Sequence, residues 1–251
     1  MLNQFSRTEL IFGNEALKKL NNAKVAIFGI GGVGGYVCEA LVRSGVSKLV
    51  LIDNDKVALT NINRQIIATF DTLDKYKCDV MKERILSINP DAEVEIHKTF
   101  FLPENQDNFD FKSYDYVVDA IDTVTAKIAL ILKCKELNIP IISAMGAGNK
   151  INPDMLRVSD IYKTKVDPLA KVMRYELKKR RIKKLKVVYS IEKPFKANND
   201  SIDNIVEEEK KTTIKRDIPG SNAFVPSAMG LIIASEIVKD ITGIRNDAPG
   251  I

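Results

Sequence analysis

The stretch FGIGGVGGYVCEALVRSGVSKLVLIDNDKV, residues 28–57, decides the predicted fold. It joins an apolar strand to a helix and a second strand, and Gly29, Gly31 and Gly34 form the pattern GxGxxG after the first strand. Glycines there permit a tight turn and let backbone amides approach a phosphate at the helix N-terminus. Asp53 ends the second strand, where a carboxylate can bind a ribose hydroxyl group. The stretch predicts a nucleotide site but leaves open whether NAD or ATP binds there.

Apolar runs and helical patterns alternate along the chain on both sides of this stretch. The predicted strands are 24–30, 48–53, 93–98, 116–121 and 140–145, and the predicted helices are 33–45, 75–89 and 125–138. Strands that alternate with helices form parallel sheets. We therefore predict an α/β fold: a Rossmann-like, doubly wound, mostly parallel sheet with helices on both faces.

The pattern changes after Gly148, and there we predict a C-terminal α+β extension that is continuous with the core. Residues 1–150 form the predicted nucleotide-binding core and residues 151–251 the extension. The extension is predicted to have strands at 156–164 and 184–193, a basic helix at 168–182 and a closing helix at 224–242. Its residues 198–217 are polar and charged, which predicts a mobile loop.

The composition is that of an ordinary folded protein, with 251 residues of which 45% are hydrophobic and 28% charged. The N-terminal MLNQFSRTEL does not resemble a signal peptide, and the most apolar windows are too short and too charged to span a bilayer. We therefore expect a cytoplasmic protein. Cys38, Cys78 and Cys134 form no CxxC pair, which argues against a zinc knuckle, and each is expected to lie buried in a helix.

The excess positive charge is concentrated in KVMRYELKKRRIKKLK, residues 171–186. This run has nine Lys and Arg against one Glu, a net charge of +8, whereas the whole chain carries +5 and the remainder −3. Such a concentration favours RNA or another polyanion over a solvated helix face, because neutralised phosphates release counterions. The residues predicted to bind RNA are Arg174, Lys178, Lys179, Arg180, Arg181, Lys183 and Lys184.

The residues after the opening stretch favour ATP over NAD. A dehydrogenase has no need of an arginine in an amide cluster at this position, whereas Arg64 in TNINRQ can clamp phosphate, and Lys77 follows it. Asp122, predicted at the end of the fourth strand, would face the ligand crevice, where a carboxylate can hold Mg²⁺ against phosphate oxygens. The predicted nucleotide-binding residues are Gly29, Gly31, Gly32, Val33, Gly34, Asp53, Asn54, Asp55, Asn61, Arg64, Gln65, Lys77 and Asp122.

The motifs GIGGVG, LIDNDxV, TNINRQ, the following lysine and DAID together resemble the ThiF/MoeB superfamily of ubiquitin-activating-enzyme-like adenylyltransferases. The resemblance implies ATP and Mg²⁺, with Asp53 on the ribose, Arg64 and Lys77 on the phosphates, and Asp122 as metal ligand. It also implies a homodimer in which Arg7 reaches the partner's ATP site. The catalytic residues that it implies are Arg7, Arg64, Lys77 and Asp122.

Three branches of this superfamily differ in motifs that can be compared. Ubiquitin-type activators carry a later catalytic cysteine, and this chain has none after residue 134. Activators of sulfur-carrier proteins usually have paired zinc cysteines and DxxDN, whereas this chain has Thr123 in place of that Asn. FSRTELIFGNEALKKL, SAMGAGNKINP and VVYSIEKP instead resemble the tRNA threonylcarbamoyladenosine dehydratases, nearly to the C-terminus.

That resemblance implies ATP-dependent cyclisation of threonylcarbamoyladenosine next to the anticodon of a tRNA. Its carboxylate attacks the α-phosphate of ATP and releases pyrophosphate, and the side chain's own nitrogen then closes a ring and expels AMP. The net change is loss of water. The protein would position the groups and neutralise charge, and the basic run would hold the tRNA. Some relatives have a cysteine where this chain has IPGSNAFVPS, so no covalent cysteine intermediate is expected; a sulfur-transfer protein partner is left open.

Three other functions stay open at this point. The first is an adenylyltransferase that activates the C-terminal Gly of a small ubiquitin-like sulfur-carrier protein. The second is a non-catalytic, nucleotide-sensing RNA-binding protein, and the third is a nicotinamide dehydrogenase, which offers no role for Arg64, Lys77 and Asp122 together. His97 is expected to lie on the third strand away from the crevice.

Overall fold

The computed structural model describes residues 2–196 and 219–245. Its strands are β1 Lys24–Phe28, β2 Lys48–Ile52, β3 Glu93–His97, β4 Tyr116–Asp119, β5 Ile141–Ala144, β6 Leu156–Asp160 and β7 Lys186–Ser190. Its α-helices are α1 Ser6–Phe12, α2 Asn14–Asn22, α3 Gly34–Arg43, α4 Lys77–Ile88, α5 Val124–Glu136, α6 Pro168–Lys179 and α7 Val225–Thr242.

The strands form one sheet in the order β3-β2-β1-β4-β5-β7-β6. All neighbouring pairs are parallel except β6 and β7, which are antiparallel. The predicted doubly wound, mostly parallel sheet is confirmed, and β6 and β7 of the extension continue it. We call the edge where the parallel strands end the carboxyl edge, and the edge where they begin the amino edge. The strand order reverses between β1 and β4, where such sheets bind ligands at the carboxyl edge.

Both faces of the inner strands β1, β2, β4, β5 and β7 are buried, because successive residues of each of these strands point into two different cores. In β1, Val25 and Ile27 join the core beneath α3, α4 and α7. Ala26 and Phe28 join the other core, beneath α5 and α6, where Phe28 contacts three further phenylalanine rings at centroid distances of 5.0–5.8 Å. This two-sided burial explains why the inner strands are largely apolar runs.

The closing helix α7 supports the loop between β1 and α3. A Cβ atom on Gly230 would lie 2.5 Å from the carbonyl oxygen of Val33, so α7 and α3 approach to backbone contact. At the start of α7, Pro226 lies 3.3 Å from the position of a Cβ atom on Gly32. The C-terminal extension therefore helps to position the glycine-rich loop.

The structure confirms the predicted burial of Cys38, Cys78 and Cys134 in helices. It shortens the basic helix, which ends at Lys179: Arg181 has a φ of 58°, and its neighbour Ile182 donates a backbone hydrogen bond to Leu177. The predicted loop 198–217 lies outside the described residues. None of the helices described is long and apolar enough to cross a membrane.

Candidate functional site

The glycine-rich loop has no room for side chains at two of its positions. Gly29 has a φ of 92°, and a Cβ atom there would lie 2.6 Å from the carbonyl oxygen of Ala120. A Cβ atom on Gly34 would lie 1.8 Å from the carbonyl oxygen of Gly29, so α3 begins directly against the end of β1. The first amides of a helix have no intrahelical acceptor. Residues 31–34 can therefore donate hydrogen bonds to a phosphate at the carboxyl edge.

Asp53 follows β2 and is fixed against the same loop. Its carboxylate accepts hydrogen bonds from the amide of Ile30 at 2.7 Å and from the amide of Asp55 at 2.8 Å. Burial raises the pKa of Asp53, while nearby Lys77 and these two amides oppose the rise. Each carboxylate oxygen can accept a further bond, so Asp53 is placed to accept bonds from ribose hydroxyl groups.

Lys77 begins α4 and points its ammonium group at the same edge. Its side chain is 7% exposed and its Nζ lies 2.7 Å from a carboxylate oxygen of Asp55, which is 60% exposed. An ammonium group held by one exposed carboxylate can exchange that partner for a phosphate oxygen at little cost. The neighbouring Asn54 is exposed.

Arg64 lies beside the glycine-rich loop, as predicted for a phosphate-binding arginine. Its Cγ is 3.4 Å from the position of a Cβ atom on Gly32. The guanidinium group donates hydrogen bonds to the carbonyl oxygen of Thr60 at 2.7 Å and to Asn63 at 2.9 Å. These two hydrogen bonds hold the guanidinium group of Arg64 next to the glycine-rich loop.

Two neighbouring amide side chains have different surroundings. Asn61 is buried and accepts a bond from the backbone of Ala58 at 3.2 Å, so it shapes its own turn. Gln65 is 6% exposed, and its Oε1 is buried without a hydrogen-bond partner among the described residues. Its Nε2 lies 3.9 Å from the position of a Cβ atom on Gly31. Gln65 is thus a buried polar group beside the glycine-rich loop that a bound ligand could satisfy.

Asp122 lies further from the end of the fourth strand than the sequence predicted. β4 ends at Asp119, three residues earlier, and Asp122 is exposed in the following loop. It accepts a bond from the hydroxyl group of Thr123 at 3.1 Å. The predicted strand 116–121 is two residues too long, because β4 pairs with β1 and β5 only as far as Asp119. Asp122 nevertheless lies at the carboxyl edge beside the glycine-rich loop.

The residue that does close β4 belongs to a buried ionic network that the sequence analysis missed. Asp119 and Lys127 are both 0% exposed, and the Lys127 Nζ lies 3.0 Å from the carboxylate and 3.0 Å from the carbonyl oxygen of Ile121. Ser143 of β5 donates to the same carboxylate at 2.5 Å. A lysine between Ala126 and the apolar run IALIL, residues 128–132 of α5, was the available signal. The network fixes the loop that carries Asp122.

A second buried network braces the loop after β5, residues 146–152. The Lys150 Nζ lies 2.8 Å from the carboxylate of Asp167, with exposures of 1% and 0%, and also donates to the carbonyl oxygen of Gly146. Glu192 accepts hydrogen bonds from Asn152 through its backbone at 2.9 Å and its side chain at 2.8 Å. Burial alone would raise the pKa of Glu192, but these bonds outweigh it and lower that pKa. Glu192 thus supports this loop.

One residue of this loop connects three segments at the carboxyl edge. Asn149 accepts a backbone bond from Phe195 at 2.7 Å and donates its own amide to Gly220 at 2.8 Å. Asn63, beside Arg64, donates to the carbonyl oxygen of Ser221 at 2.9 Å. The loops after β2, β5 and β7 therefore form one continuous wall next to the glycine-rich loop.

Arg7 is not brought to this site within its own chain. It is exposed on α1, and the residues before it contact the amino edge: Gln4 donates to Asn89 at 3.3 Å, and Phe5 lies 3.9 Å from the position of a Cβ atom on Gly45. Asn89 and Gly45 precede the starts of β3 and β2, so α1 lies at the edge opposite the nucleotide-binding residues.

The basic run also reaches the amino edge. α6 begins next to the loop after β5, where the Asp167 carboxylate lies 3.1 Å from the position of a Cβ atom on Gly146. The run ends at Lys186, the first residue of β7. Its most basic part therefore lies opposite the glycine-rich loop, separated from it by the length of the strands.

The cations of this run differ in how far they are engaged. Arg174 is half-buried and donates to the carbonyl oxygen of Thr164 at 3.0 Å. Glu176 pairs with Arg180 at 2.6 Å and with Lys179 at 3.3 Å. Exposed cations for which the described residues provide no ion-pair partner are Lys171, Lys178, Arg181, Lys183 and Lys184.

His97 and Tyr189 belong to the scaffold. His97 is the last residue of β3, so its predicted position on the third strand is confirmed. Its ring bonds to Glu95 at 2.7 Å and contacts the ring of Phe109, which turns it from the nucleotide-binding residues. Tyr189 is 6% exposed and packs in the core beneath α6.

Comparisons with known proteins give a consistent result. The tRNA threonylcarbamoyladenosine dehydratase of Bacillus subtilis (strain 168) is 45% identical over 242 residues, 96% of this chain and 95% of its own. The crystal structure of E. coli tRNA N6-threonylcarbamoyladenosine dehydratase in complex with AMP matches with a TM-score of 0.85 at 34% identity, covering 96% of this chain and 94% of that one. The complex of the same protein with ATP matches with a TM-score of 0.84. A model of the ThiF family matches residues 5–250. The chain therefore belongs to the ThiF family.

Proposed function

We propose that this protein is an ATP-dependent tRNA threonylcarbamoyladenosine dehydratase. The observation that carries the proposal is a Bacillus subtilis relative of that name which is 45% identical and aligned over 96% of this chain. The carboxyl edge supports it, since it brings the glycine-rich loop, Asp53, Arg64, Lys77 and Asp122 together. A tRNA substrate would place the activity in the cytoplasm.

ATP fits the residues at the carboxyl edge. The amides of residues 31–34 and the cations Arg64 and Lys77 would hold phosphates, and Asp53 would hold the ribose. The crowding around Gly29 and Gly34 keeps this loop free of side chains, and the buried amide of Gln65 faces it without a full set of partners. These features fit a ligand that brings both acceptors and donors.

Mg²⁺ would be held by Asp122 together with phosphate oxygens and water. Mg²⁺ in nucleotide sites commonly takes one or two carboxylates and otherwise phosphate and water ligands. The described part of the chain has no cluster of three or more His, Cys, Asp or Glu suited to a metal ion, which fits this mode of binding. Bound there, the ion would neutralise charge on the phosphates.

The chain's own residues would act by positioning and by neutralising charge. The substrate carboxylate attacks the α-phosphate, pyrophosphate leaves, and the nitrogen of the same side chain closes the ring and expels AMP, so no enzymic nucleophile is needed. The cysteines fit this scheme, since burial raises the pKa of Cys78 to about 12 and that of Cys134 to about 12, and also raises the pKa of Cys38. Thiols so protonated are poor nucleophiles.

We also propose a homodimer in which Arg7 serves the partner's ATP site. α1 buries none of its side chains within its own protomer, and Leu10 and Ile11 are 86% and 75% exposed. These apolar side chains suit a subunit interface. Mixing equal amounts of inactive Arg7→Ala and Asp122→Ala protomers should restore about a quarter of the wild-type activity, because half of the dimers gain one complete site. Action of Arg7 on its own site would restore none.

The proposed reaction is tested by asking whether AMP release requires the modified tRNA. The protein with ATP and Mg²⁺ should release AMP and pyrophosphate when tRNA carrying threonylcarbamoyladenosine is added, and not with the same tRNA lacking that modification. ATP–pyrophosphate exchange that depends instead on a small carrier protein with a Gly-Gly tail would support the sulfur-carrier adenylyltransferase. Binding of tRNA without AMP release would support a nucleotide-sensing protein.

A further inference from the structure

A cavity of about 550 Å³ opens at the amino edge, on the side opposite the ATP-binding residues. It lies where β4, β5 and β7 begin, and its lining includes Tyr116, Ile141 and Lys186, the first residues of these strands. Lys135 from α5 and Lys184 from the basic run also line it. No residue predicted to bind the nucleotide contributes to this cavity.

One wall of the cavity carries carboxylates that are already neutralised. Glu236 and Asp240 of α7 both bond to Lys186, at 3.3 and 2.7 Å, and both also pair with Arg245. Glu236 has a third partner in Lys239 at 2.8 Å. Both carboxylates are therefore paired with cations, and they leave no unpaired negative charge on this wall.

The third carboxylate of the cavity is held by backbone amides. Asp160 accepts a hydrogen bond from the amide of Leu185 at 3.1 Å and one from the amide of Tyr162 at 2.9 Å. Both of these hydrogen bonds come from backbone amides, and neither comes from a lysine ammonium group. Asp160 therefore does not form an ion pair with Lys135 or Lys184 among the described residues.

Lys135 and Lys184 are a pair of like charges without a bonded counterion. Neither makes a hydrogen bond or an ion pair within the part of the chain that the structure describes, and Lys135 is half-buried. Burial, and then the nearby charge of Lys184, lower the pKa of Lys135, and the nearby Asp160 carboxylate only partly opposes this fall. Two such ammonium groups at one cavity repel each other, and an anion placed between them would remove that repulsion.

We propose that this cavity binds one phosphate group of the tRNA backbone through Lys135 and Lys184. The proposal rests on the proposed function, because it takes the polyanion to be the tRNA substrate. Continuity with the basic run favours RNA over a small anion, since the exposed Lys178, Arg181 and Lys183 come just before Lys184 in the chain. Neither the charge pattern nor the spacing of the sequence pointed to Lys135, which lies on another helix.

The position of the cavity defines what part of the tRNA it would contact. A five-residue strand such as β7 is about 16 Å long. The modified adenosine must reach the carboxyl edge, so a phosphate at the amino edge belongs to a different part of the tRNA, such as the stem. The cavity would then fix the orientation of the stem while the nucleotide enters the ATP site.

The test compares two double variants that remove the same charge from the amino edge. The variant Lys135→Gln/Lys184→Gln removes from the cavity the two lysines that have no ion-pair partner among the described residues. The matched control, Lys48→Gln/Lys112→Gln, changes one half-buried and one exposed lysine near the starts of β2 and β4. Affinity for the full-length tRNA is measured over a series of KCl concentrations, and phosphate-ethylation interference is mapped on the same tRNA.

The cavity variant should bind tRNA more weakly, with a slope of log K against log[KCl] smaller by about 1, whereas the control should keep the wild-type slope. Ethylation of one particular phosphate should block binding of the tRNA to the wild type. Ethylation of the same phosphate should have no effect on binding to the cavity variant. Equal slopes for the two variants would overturn the proposal. Calorimetry with inorganic phosphate covers the small-anion case: binding that needs both lysines, with tRNA affinity unchanged, would also overturn it.

Failure of the proposed function gives a different result. If the wild-type protein releases no AMP with modified tRNA but the cavity variant still loses one phosphate contact, the phosphate site stands and the dehydratase reaction does not.

Discussion

Replacing Lys127 with methionine should destabilise the protein more than replacing both members of its ion pair. Lys127 and Asp119 are 0% exposed, and Lys127→Met leaves the carboxylate with Ser143 as its one bonded side chain among the described residues. Removing one partner of a buried ion pair costs about 3–5 kcal/mol in the free energy of unfolding. For a domain of this size, that loss corresponds to a fall in Tm of about 6–20 °C.

The double variant Lys127→Met/Asp119→Asn removes both charges and should lie within about 1–2 kcal/mol of the wild type, because neutral replacement of a buried pair is often tolerated. Asn retains an acceptor for Ser143. The control is Lys133, which lies on the same helix and pairs at 3.2 Å with an Asp107 carboxylate that is 86% exposed. Lys133→Met should cost at most about 1 kcal/mol.

Urea unfolding followed by circular dichroism measures these differences as shifts of the midpoint at constant slope. A single variant as stable as the double variant would refute the reasoning, since it would mean that Asp119 needs no cation. The double variant also tests whether Lys127 positions the loop that carries Asp122. The carbonyl oxygen of Ile121 loses its donor in this variant, so AMP release should fall although the fold persists.

Three further predictions concern the site, the scaffold and the basic run. Asp122→Ala should leave the unfolding midpoint unchanged, since Asp122 is exposed, and abolish AMP release; normal turnover would remove it from the metal role. Burial alone would raise the pKa of Glu39, but its bonds to Arg84 and Arg43 outweigh burial and hold that pKa below 4.5. The ionised Glu39 therefore stabilises the fold fully above pH 4.5, and this contribution is lost as the pH falls through the lowered pKa. Glu39→Gln should therefore be less stable at pH 7 by about 1.5–3 kcal/mol, a gap that narrows on acidification when urea midpoints are compared. Lys178→Glu/Arg181→Glu should weaken tRNA binding and flatten its salt dependence, and unchanged filter binding would leave these residues as a solvated surface.

The features that could be predicted from the sequence are those set by local pattern. The glycine spacing at 29–34 requires a backbone turn with little room, and the apolar runs are long enough to be strands buried on both faces. The position of Asp53 could be predicted from both, because Asp53 comes directly after the strand next to that turn.

The features that could not be predicted depend on partners far apart in the chain. Nothing near Asp119 identifies Ser143 as its neighbour, and the pairing of Lys150 with Asp167 requires α6 to begin beside the loop after β5. The location of the basic run follows from the direction of α6 across the sheet. Its charge could be counted from the sequence, whereas its distance from the ATP-binding residues could not.

Mass analysis of tRNA nucleosides is the most direct measurement of the proposed activity. The wild-type protein is incubated with ATP, Mg²⁺ and tRNA carrying threonylcarbamoyladenosine, and the tRNA is digested to nucleosides. We expect threonylcarbamoyladenosine to be replaced by a product lighter by one water, in an amount equal to the AMP released, and no such product with Asp122→Ala. Unchanged threonylcarbamoyladenosine alongside AMP release would contradict the proposed dehydration.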